Sequence, residues 1–231
     1  MQVKIYYHTP DARSLAARKF LSKQGILEAG PLEATHILLP IPSRPQGLSI
    51  RTGQTLIGGK LPELPGISAY DVLKDPIFTA ENAALTAEGA IFFLMQKTAI
   101  AGHAFLVAGW GRIGKLLARK LQGLGASVTV AARNPQDLGM LKALGYAVQV
   151  TGQFKNLSRF DGILSTVPCP VFSKSGLPEG VPLLDLAPGG FPPEVPALRL
   201  SGLPVRYAPE DAGRLWGEAV LRMLHRKEEV L

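Results

Sequence analysis

Between residues 105 and 133 the chain reads FLVAGWGRIGKLLARKLQGLGASVTVAAR, and the spacing of its glycines suits the capture of a pyrophosphate. Phe105 to Ala108 form an apolar strand pattern, Gly109-Trp110-Gly111-Arg112-Ile113-Gly114 follow, and an amphipathic helix pattern comes next. Gly109 allows the tight strand-to-helix turn, Gly111 lets the backbone approach a pyrophosphate, and Gly114 lets the helix pack closely on the strand. Phosphates in such a loop sit on free N–H groups at the positive end of the helix dipole. A glycine motif of this spacing is weak evidence by itself, but this one is framed by a second strand pattern at Ser127 to Ala131. These residues predict a dinucleotide site. The plain alternative is a fold of the same type with an empty or degenerate pocket.

The end of the second strand bears on which dinucleotide. Chains that bind NAD usually place Asp or Glu there to hold the ribose 2′-OH. Here the strand ends Ala131-Ala132-Arg133-Asn134, with no carboxylate before Asp137. Arg133 can pair bidentately with a 2′-phosphate, and Asn134 can donate a hydrogen bond to it. The expectation is therefore NADP(H), with NAD(H) possible; Arg133 stacked on adenine or lying in solvent is the bland reading. Thr166, Val167 and Pro168, at the end of a later strand pattern, complete the expected cofactor set on the nicotinamide side.

Hydride transfer asks little more of the protein than position and one acid or base. Glu88 stands among apolar neighbours on a long helix pattern, where two lobes are expected to meet. A carboxylate there is costly to bury unless paired, so it is either functional or part of an ion pair, and Thr86 is its weaker companion. His8 follows the first strand and titrates near neutral pH, although a histidine at a helix entry is more often a local hydrogen-bonding group. Ser43, with Arg44, could grip a carboxylate. His103 and Asp185 read as turn or cap residues. Cys169, the single cysteine, reads as a packed thiol, and one cysteine supplies neither a disulfide nor a cysteine-based metal site.

The elements that must position these groups alternate strand and helix. Strands are expected at Val3–Tyr7, His36–Leu39 and Ala69–Leu73, with short pieces at Leu48, Ile50, Leu56 and Ile57. Helices are expected from Pro10-Asp11 to Lys23 and over Ala80–Thr98. Further strands follow at 105–108, 127–131, 146–150, 162–166, 182–186 and 204–207, and a last helix begins near Glu210. This is an α/β pattern: a doubly wound, Rossmann-type parallel sheet with helices on both faces, plus a smaller N-terminal α/β lobe. The expected division is residues 1–80 for the N-terminal, substrate-side lobe and 81–209 for the connecting helix and cofactor domain. The apolar face of helix 210–227 should pack back on the first lobe or on a second protein chain. The proline-rich stretch 168–196 carries few helix signals.

With 231 residues, 46% hydrophobic and 19% charged, the chain is long enough to bury a sizeable core. Its net charge of +7 is scattered, with no basic stripe interleaved with aromatics, so nucleic acid is not an expected partner. A mildly positive chain suits phosphorylated cofactors and acidic substrates. No secretory signal and no apolar run of spanning length is read from the sequence, so the expectation is a cytoplasmic protein without a membrane partner.

Several segments together resemble the dehydrogenase-like component of dipicolinate synthase, a family related to the NAD(P)-dependent 2-hydroxyacid dehydrogenases. They are Ile37-Leu38-Leu39-Pro40, Asn82-Ala83-Ala84-Leu85-Thr86-Ala87-Glu88-Gly89, Gly109 to Gly114, Ala131-Ala132-Arg133, Ser165-Thr166-Val167-Pro168, and Leu184-Asp185-Leu186-Ala187 followed by Pro188-Gly189-Gly190. Order and spacing hold from about residue 35 to 190. The resemblance implies oxidation of a small cyclic dicarboxylate, a dihydrodipicolinate precursor, during sporulation, beside a second, flavoprotein-like component of the synthase; two-lobed relatives commonly form homodimers. The chain departs from the family pattern where Ala187 abuts Pro188 directly, where Pro209 passes straight to Glu210-Asp211, and in a shorter first lobe. Both C-terminal departures fall where a dicarboxylate would be gripped. The alternative is therefore a non-catalytic nucleotide-binding protein or sensor with the same fold.

Overall fold

The computed structural model describes residues 2–228, with side chains as far as His225. Its contacts divide it into two compact units, one holding the residues up to Asn82 together with those from Pro204 onward, the other holding Ala83–Leu203.

In the first unit, β1 (Lys4–Tyr7) leads through a short loop into α1 (Ala12–Lys23). Asp11 starts that helix by accepting from the Ser14 backbone N–H at 2.8 Å, which satisfies a donor the helix cannot bond internally. β2 (Leu27–Glu28), β3 (His36–Leu38), β4 (Thr55–Gly58) and β5 (Ser68–Asp71) complete an all-parallel sheet in the order β2-β1-β3-β4-β5. Leu48 and Ile50 form no strand; they pack as coil against Ile37, Leu39 and Leu56. The strand expected to reach Leu73 stops at Asp71, because the Asp71 carboxylate accepts from the Leu73 N–H at 2.9 Å and turns the chain into a 3-10 turn over Val72–Lys74.

Asp75-Pro76 begins α2 (Pro76–Met95) a turn earlier than the apolar pattern indicates. Asp75 accepts from the N–H groups of Ile77 (2.9 Å) and Phe78 (3.2 Å), and proline at the first helical position gives up no needed donor. α2 is also a correction to the expectation that no segment is long and apolar enough to cross a membrane: its 20 residues pass that test by length and composition. Phe78, Ala83, Ala87, Ala90, Ile91 and Leu94 on it are buried, as in a core helix of a globular fold.

The last helix, α6 (Pro209–Glu228), lies along α1. Contact is close because Gly213 faces the Cβ of Ala16 and the backbone of Ala17, while Gly217 faces the Phe20 ring. Trp216 is fully buried there. Arg222 on α6 donates through Nε (3.2 Å) and Nη2 (3.1 Å) to Asp75 Oδ2, which also accepts from the Tyr70 hydroxyl at 3.1 Å. Burial alone would raise the Asp75 pKa, but the Phe78 N–H, the Arg222 guanidinium and the Ile77 N–H outweigh it and hold the carboxyl below its ordinary value. A depressed carboxylate stabilises the fold above the unfolded-state pKa of about 4 and loses that contribution as pH falls through the folded value. Thermal midpoints measured from pH 7 down to pH 3 should therefore fall further for the wild type than for Asp75→Asn; parallel curves would show that Asp75 carries none of the acid sensitivity.

In the second unit, β6 (Ala104–Ala108), α3 (Arg112–Gly123), β7 (Ser127–Ala132), α4 (Pro135–Ala143), β8 (Ala147–Val150), β9 (Gly162–Ser165), β10 (Leu183–Asp185) and β11 (Leu198–Arg199) follow in sequence. All pairs are parallel, in the order β11-β10-β9-β6-β7-β8. The chain winds outward one way from β6 to β8, then returns to β9 on the other side of β6. That reversal marks the switch point where doubly wound sheets bind ligands.

One face of this sheet packs against α2, α3 and α4 through Ala90, Leu94, Leu117, Leu121 and Leu141. The other is covered by the proline-rich loops rather than by helices, with Phe154, Phe172 and Phe191 stacked in series at 4.4 and 4.6 Å between centroids. Residues 204–207, expected as a strand, belong instead to α5 (Leu203–Tyr207), because Pro204 fits a first helical turn where its missing N–H costs nothing. β11 takes the sixth strand position, and the Arg199 side chain fixes the preceding loop by donating to the carbonyls of Pro192, Pro193, Val195 and Ala197.

Candidate functional site

The three motif glycines occupy three different environments. Gly109 has φ +107°, and a Cβ there would collide with Thr166 Oγ1. Gly114 is buried, and a Cβ there would collide with the Gly109 carbonyl oxygen, so the first turn of α3 lies directly on the end of β6. Gly111 is the opposite case: a Cβ there would meet nothing within 4 Å. The motif is thus tight on the inside at Gly109 and Gly114 and open on the outside at Gly111, the face from which a diphosphate would approach. Gly111 caps α3 with no side-chain hydrogen bond, and the first turn of that helix holds no acidic residue. Its leading N–H groups and the dipole behind them face outward without a protein anion.

Around this loop lies a cavity of about 320 Å³ lined by Gly109, Trp110, Gly111, Ala132, Arg133, Asn134, Asp137, Thr151, Thr166, Val167 and Pro168. It gathers the carboxyl ends of β6, β7, β8 and β9. Trp110 is held edge-on to Tyr146 at 5.8 Å, with the Lys115 ammonium 5.7 Å from its ring centroid. Thr166 faces the glycine loop and donates its hydroxyl to the Ala108 carbonyl at 3.0 Å. Asn134 uses its side-chain oxygen to cap α4 by accepting from the Gln136 N–H at 2.8 Å, leaving its amide nitrogen as a donor. Arg133 is exposed at the strand end.

Of the residues singled out in the sequence, Gly109, Trp110, Gly111, Arg133, Asn134, Thr166, Val167 and Pro168 come together in this cavity. Arg112, Ile113 and Gly114 lie in the adjoining helical turn, Arg112 exposed and Ile113 packed against the core. No local signal marks Thr151 or the lining position of Asp137. Thr151 follows β8, which only the sheet order sets beside β7. Asp137 stands in the first turn of α4, three residues beyond Asn134.

The catalytic candidates do not gather in the same way. Glu88 pairs with Lys120 on α3 at 2.8 Å, with both side chains partly exposed. Thr86 is buried on α2. His8 is buried in the first unit, its Nε2 3.2 Å from the Gln46 carbonyl oxygen. Ser43 donates its hydroxyl to the Pro40 carbonyl (3.1 Å) and accepts from the Gly59 N–H (2.8 Å). Both bonding capacities hold the loop after β3 against the end of β4. Arg44 is exposed. His103 Nδ1 lies 3.2 Å from the Ala101 carbonyl oxygen in its turn. Cys169, expected to be packed, is exposed: Pro168 and Pro170 keep its segment out of the sheet beyond β9. Asp185 is fully buried and accepts from the Gly189 N–H at 3.2 Å, which folds the Pro188-Gly189-Gly190 turn back on the strand end. Among the described residues no group of three or more His, Cys, Asp or Glu could hold a metal ion.

No protein-family model matches the chain. It is 31% identical over 157 residues to the dehydrogenase-like component of dipicolinate synthase from Bacillus subtilis, a stretch that is 62% of this chain and 53% of that protein. The chain thus matches about half the length of this curated relative. Among solved structures, the same component of the Bacillus subtilis synthase superposes with a TM-score of 0.83 at 20% identity, covering 100% of this chain and 98% of that one. Its counterpart from Bacillus halodurans gives 0.81 at 23% identity, over 96% and 97%. A transhydrogenase from Sinorhizobium meliloti gives 0.72 at 15% identity, over 98% and 94%. At these identities the superpositions establish a shared two-sheet α/β fold.

Proposed function

We propose that this chain, similar in sequence and fold to the dehydrogenase-like component of dipicolinate synthase, is an NADP(H)-dependent oxidoreductase that oxidises a small cyclic dicarboxylate, such as a dihydrodipicolinate precursor. The observation that carries the reading is the cavity at the sheet reversal, where an open Gly111, the end of β7 and the end of β9 converge. In this reading Gly109–Gly114 hold the pyrophosphate, Arg133 and the Asn134 amide hold the adenosine end, and Thr166–Pro168 line the nicotinamide end. The bound cofactor supplies the hydride acceptor. The protein contributes position and exclusion of water. A flavoprotein-like partner and a homodimer belong to the same proposal.

Two observations favour competing readings. Asp137 lines the cavity, and a carboxylate there suits ribose hydroxyls better than a 2′-phosphate, which favours NAD(H). Glu88 is ion-paired and the Ser43 hydroxyl is fully engaged, which favours a nucleotide-binding protein without chemistry of its own.

One set of titrations and assays separates them. Arg133→Ala should weaken NADPH binding by about tenfold or more, the scale of a lost charge-assisted hydrogen bond, and change NADH binding by less than about twofold. Asp137→Asn should move NADPH affinity the other way. Equal losses for both cofactors in Arg133→Ala would assign the site to NAD(H). Wild-type protein given NADP+ and the cyclic dicarboxylate should form NADPH. Tight NADP binding with no NADPH formed, with or without the flavoprotein partner, would leave nucleotide binding as the function.

A further inference from the structure

Arg13 is the most unusual charge in the molecule. It stands in the first turn of α1, directly after the loop that leaves β1, at the carboxyl edge of the first unit's parallel sheet. Only 4% of the residue is exposed. Its one hydrogen bond runs from Nη2 to the neutral Asn82 side-chain oxygen at a long 3.3 Å, and its Nε–H is buried with no acceptor. Arg13 takes part in none of the ion pairs among the described residues. The neighbouring anion, Asp11, commits Oδ1 to the Ser14 N–H and hydroxyl. Burial pushes the guanidinium below its ordinary pKa, with Asp11 opposing only in part.

A desolvated guanidinium with five donors and one weak acceptor is expensive to keep. Buried arginines are ordinarily paired with carboxylates or held by several carbonyls, as Arg222 is by Asp75 and Arg199 is by four carbonyls in this chain. Arg13 has neither arrangement. It occupies the edge of a parallel sheet on which ligands bind. The planar fork matches a carboxylate bidentately, which a lysine could not reproduce.

We propose that Arg13 is the carboxylate-binding residue of the first unit, completing its hydrogen bonds with a carboxylate of the small-molecule substrate. The proposal deepens the oxidoreductase reading and rests on it for the identity of the ligand as a dicarboxylate. Asn82 acts as a positioning residue, holding one edge of the guanidinium so that the Nε side presents to the anion. Cofactor capture is assigned to other residues, 109–114 and 133–134, in the second unit.

The test is calorimetric titration of the full chain with pyridine-2,6-dicarboxylate, with unsubstituted pyridine as the uncharged probe and NADPH titrated in parallel. Wild type should bind the dicarboxylate and not pyridine. Arg13→Met should weaken the dicarboxylate by about 30-fold or more, Arg13→Lys should be intermediate, and NADPH affinity should stay within about twofold in both. Thermal midpoints give a readout that a structural arginine would move the other way. Removing an unpaired buried charge should leave Arg13→Met as stable as wild type or more so, while the dicarboxylate should raise the midpoint of wild type only. Should Arg13→Met fail to fold, the Lys variant and the wild-type preference for the dicarboxylate over pyridine still decide the matter. Equal dicarboxylate affinity in wild type and either variant, or no dicarboxylate binding by a wild type that binds NADPH, would overturn the role of Arg13 and leave the cofactor reading standing. Dicarboxylate binding lost in Arg13→Met by a wild type that never binds NADPH would keep Arg13 and remove the oxidoreductase.

Discussion

Gly111→Asp should abolish dinucleotide binding while leaving the protein at least as stable as the wild type. The two halves of this result have one cause. A Cβ at Gly111 meets no atom within 4 Å, so the fold accommodates the new side chain without adjustment. Gly111 is also the N-cap of α3, which has no side-chain cap and no acid in its first turn. Aspartate at an N-cap accepts from the exposed N–H groups and interacts favourably with the dipole, gaining about 1 kcal/mol at most. Those same N–H groups are the ones a pyrophosphate would use. A carboxylate roughly 4 Å from a phosphate charge costs about 4 kcal/mol at an effective dielectric near 20, close to a thousandfold in affinity. Fluorescence titration of NADPH, with Trp110 in the cavity as the donor, reads the binding, and a melting curve reads the stability. Unchanged NADPH affinity in Gly111→Asp would end the dinucleotide assignment. Gly114→Val makes the contrasting case: its Cβ meets the Gly109 carbonyl oxygen, so stability and binding should fall together.

Gly213→Val should be among the most destabilising single substitutions in the chain, although it lies far in sequence from the glycine motif. The side chain would enter the space of the Ala16 Cβ and the Ala17 backbone, neither of which can swing aside as a flexible side chain would. α1 and α6 would have to separate along the seam that buries Ala17, Leu21, Trp216 and Val220. Overpacking of this kind costs about 3 kcal/mol, or roughly 10 °C in the thermal midpoint for a chain of this size. Trp216 fluorescence reports the loss at its source. Gly139→Ala, in α4 where a Cβ meets nothing within 4 Å, is the control: it should stabilise by about 0.5–1 kcal/mol. If Gly213→Val and Gly139→Ala shift the midpoint alike, the close helix seam is not what holds this unit together.

Much of the architecture is legible locally. The strand at 105–108, the glycine turn, α3 and β7 are readable because their signals sit within about thirty residues: apolar alternation, a turn that only glycine allows, and helical periodicity. The elements that sequence places wrongly are those whose local signals conflict. Asp75-Pro76 is a cap followed by a first-turn proline, but the apolar run behind it points to a start at Ala80. Val205, Arg206 and Tyr207 suit a strand by composition, yet Pro204 sits comfortably at a helix start and Leu198–Arg199 already fills the sheet edge. Ser43 has the residue type of a site and the geometry of a loop clamp. Glu88 reads in sequence as either functional or ion-paired, and its partner, Lys120, lies 32 residues away on another helix, beyond the reach of local pattern.

The sequence by itself determined the cofactor loop, the α/β class and the residue types at the end of β7, because each of these follows from interactions between near neighbours in the chain. The tertiary structure alone decided what stands opposite them. It placed Thr166–Pro168, more than fifty residues downstream, beside Gly109 by returning the chain across β6. It brought Asp137 and Thr151 into the cavity next to Arg133, matched Gly213 to Ala16 across the α1–α6 seam, and left Arg13 buried without a counter-ion. Strand order, helix contact and charge pairing arise from long-range burial, which no window of sequence encodes.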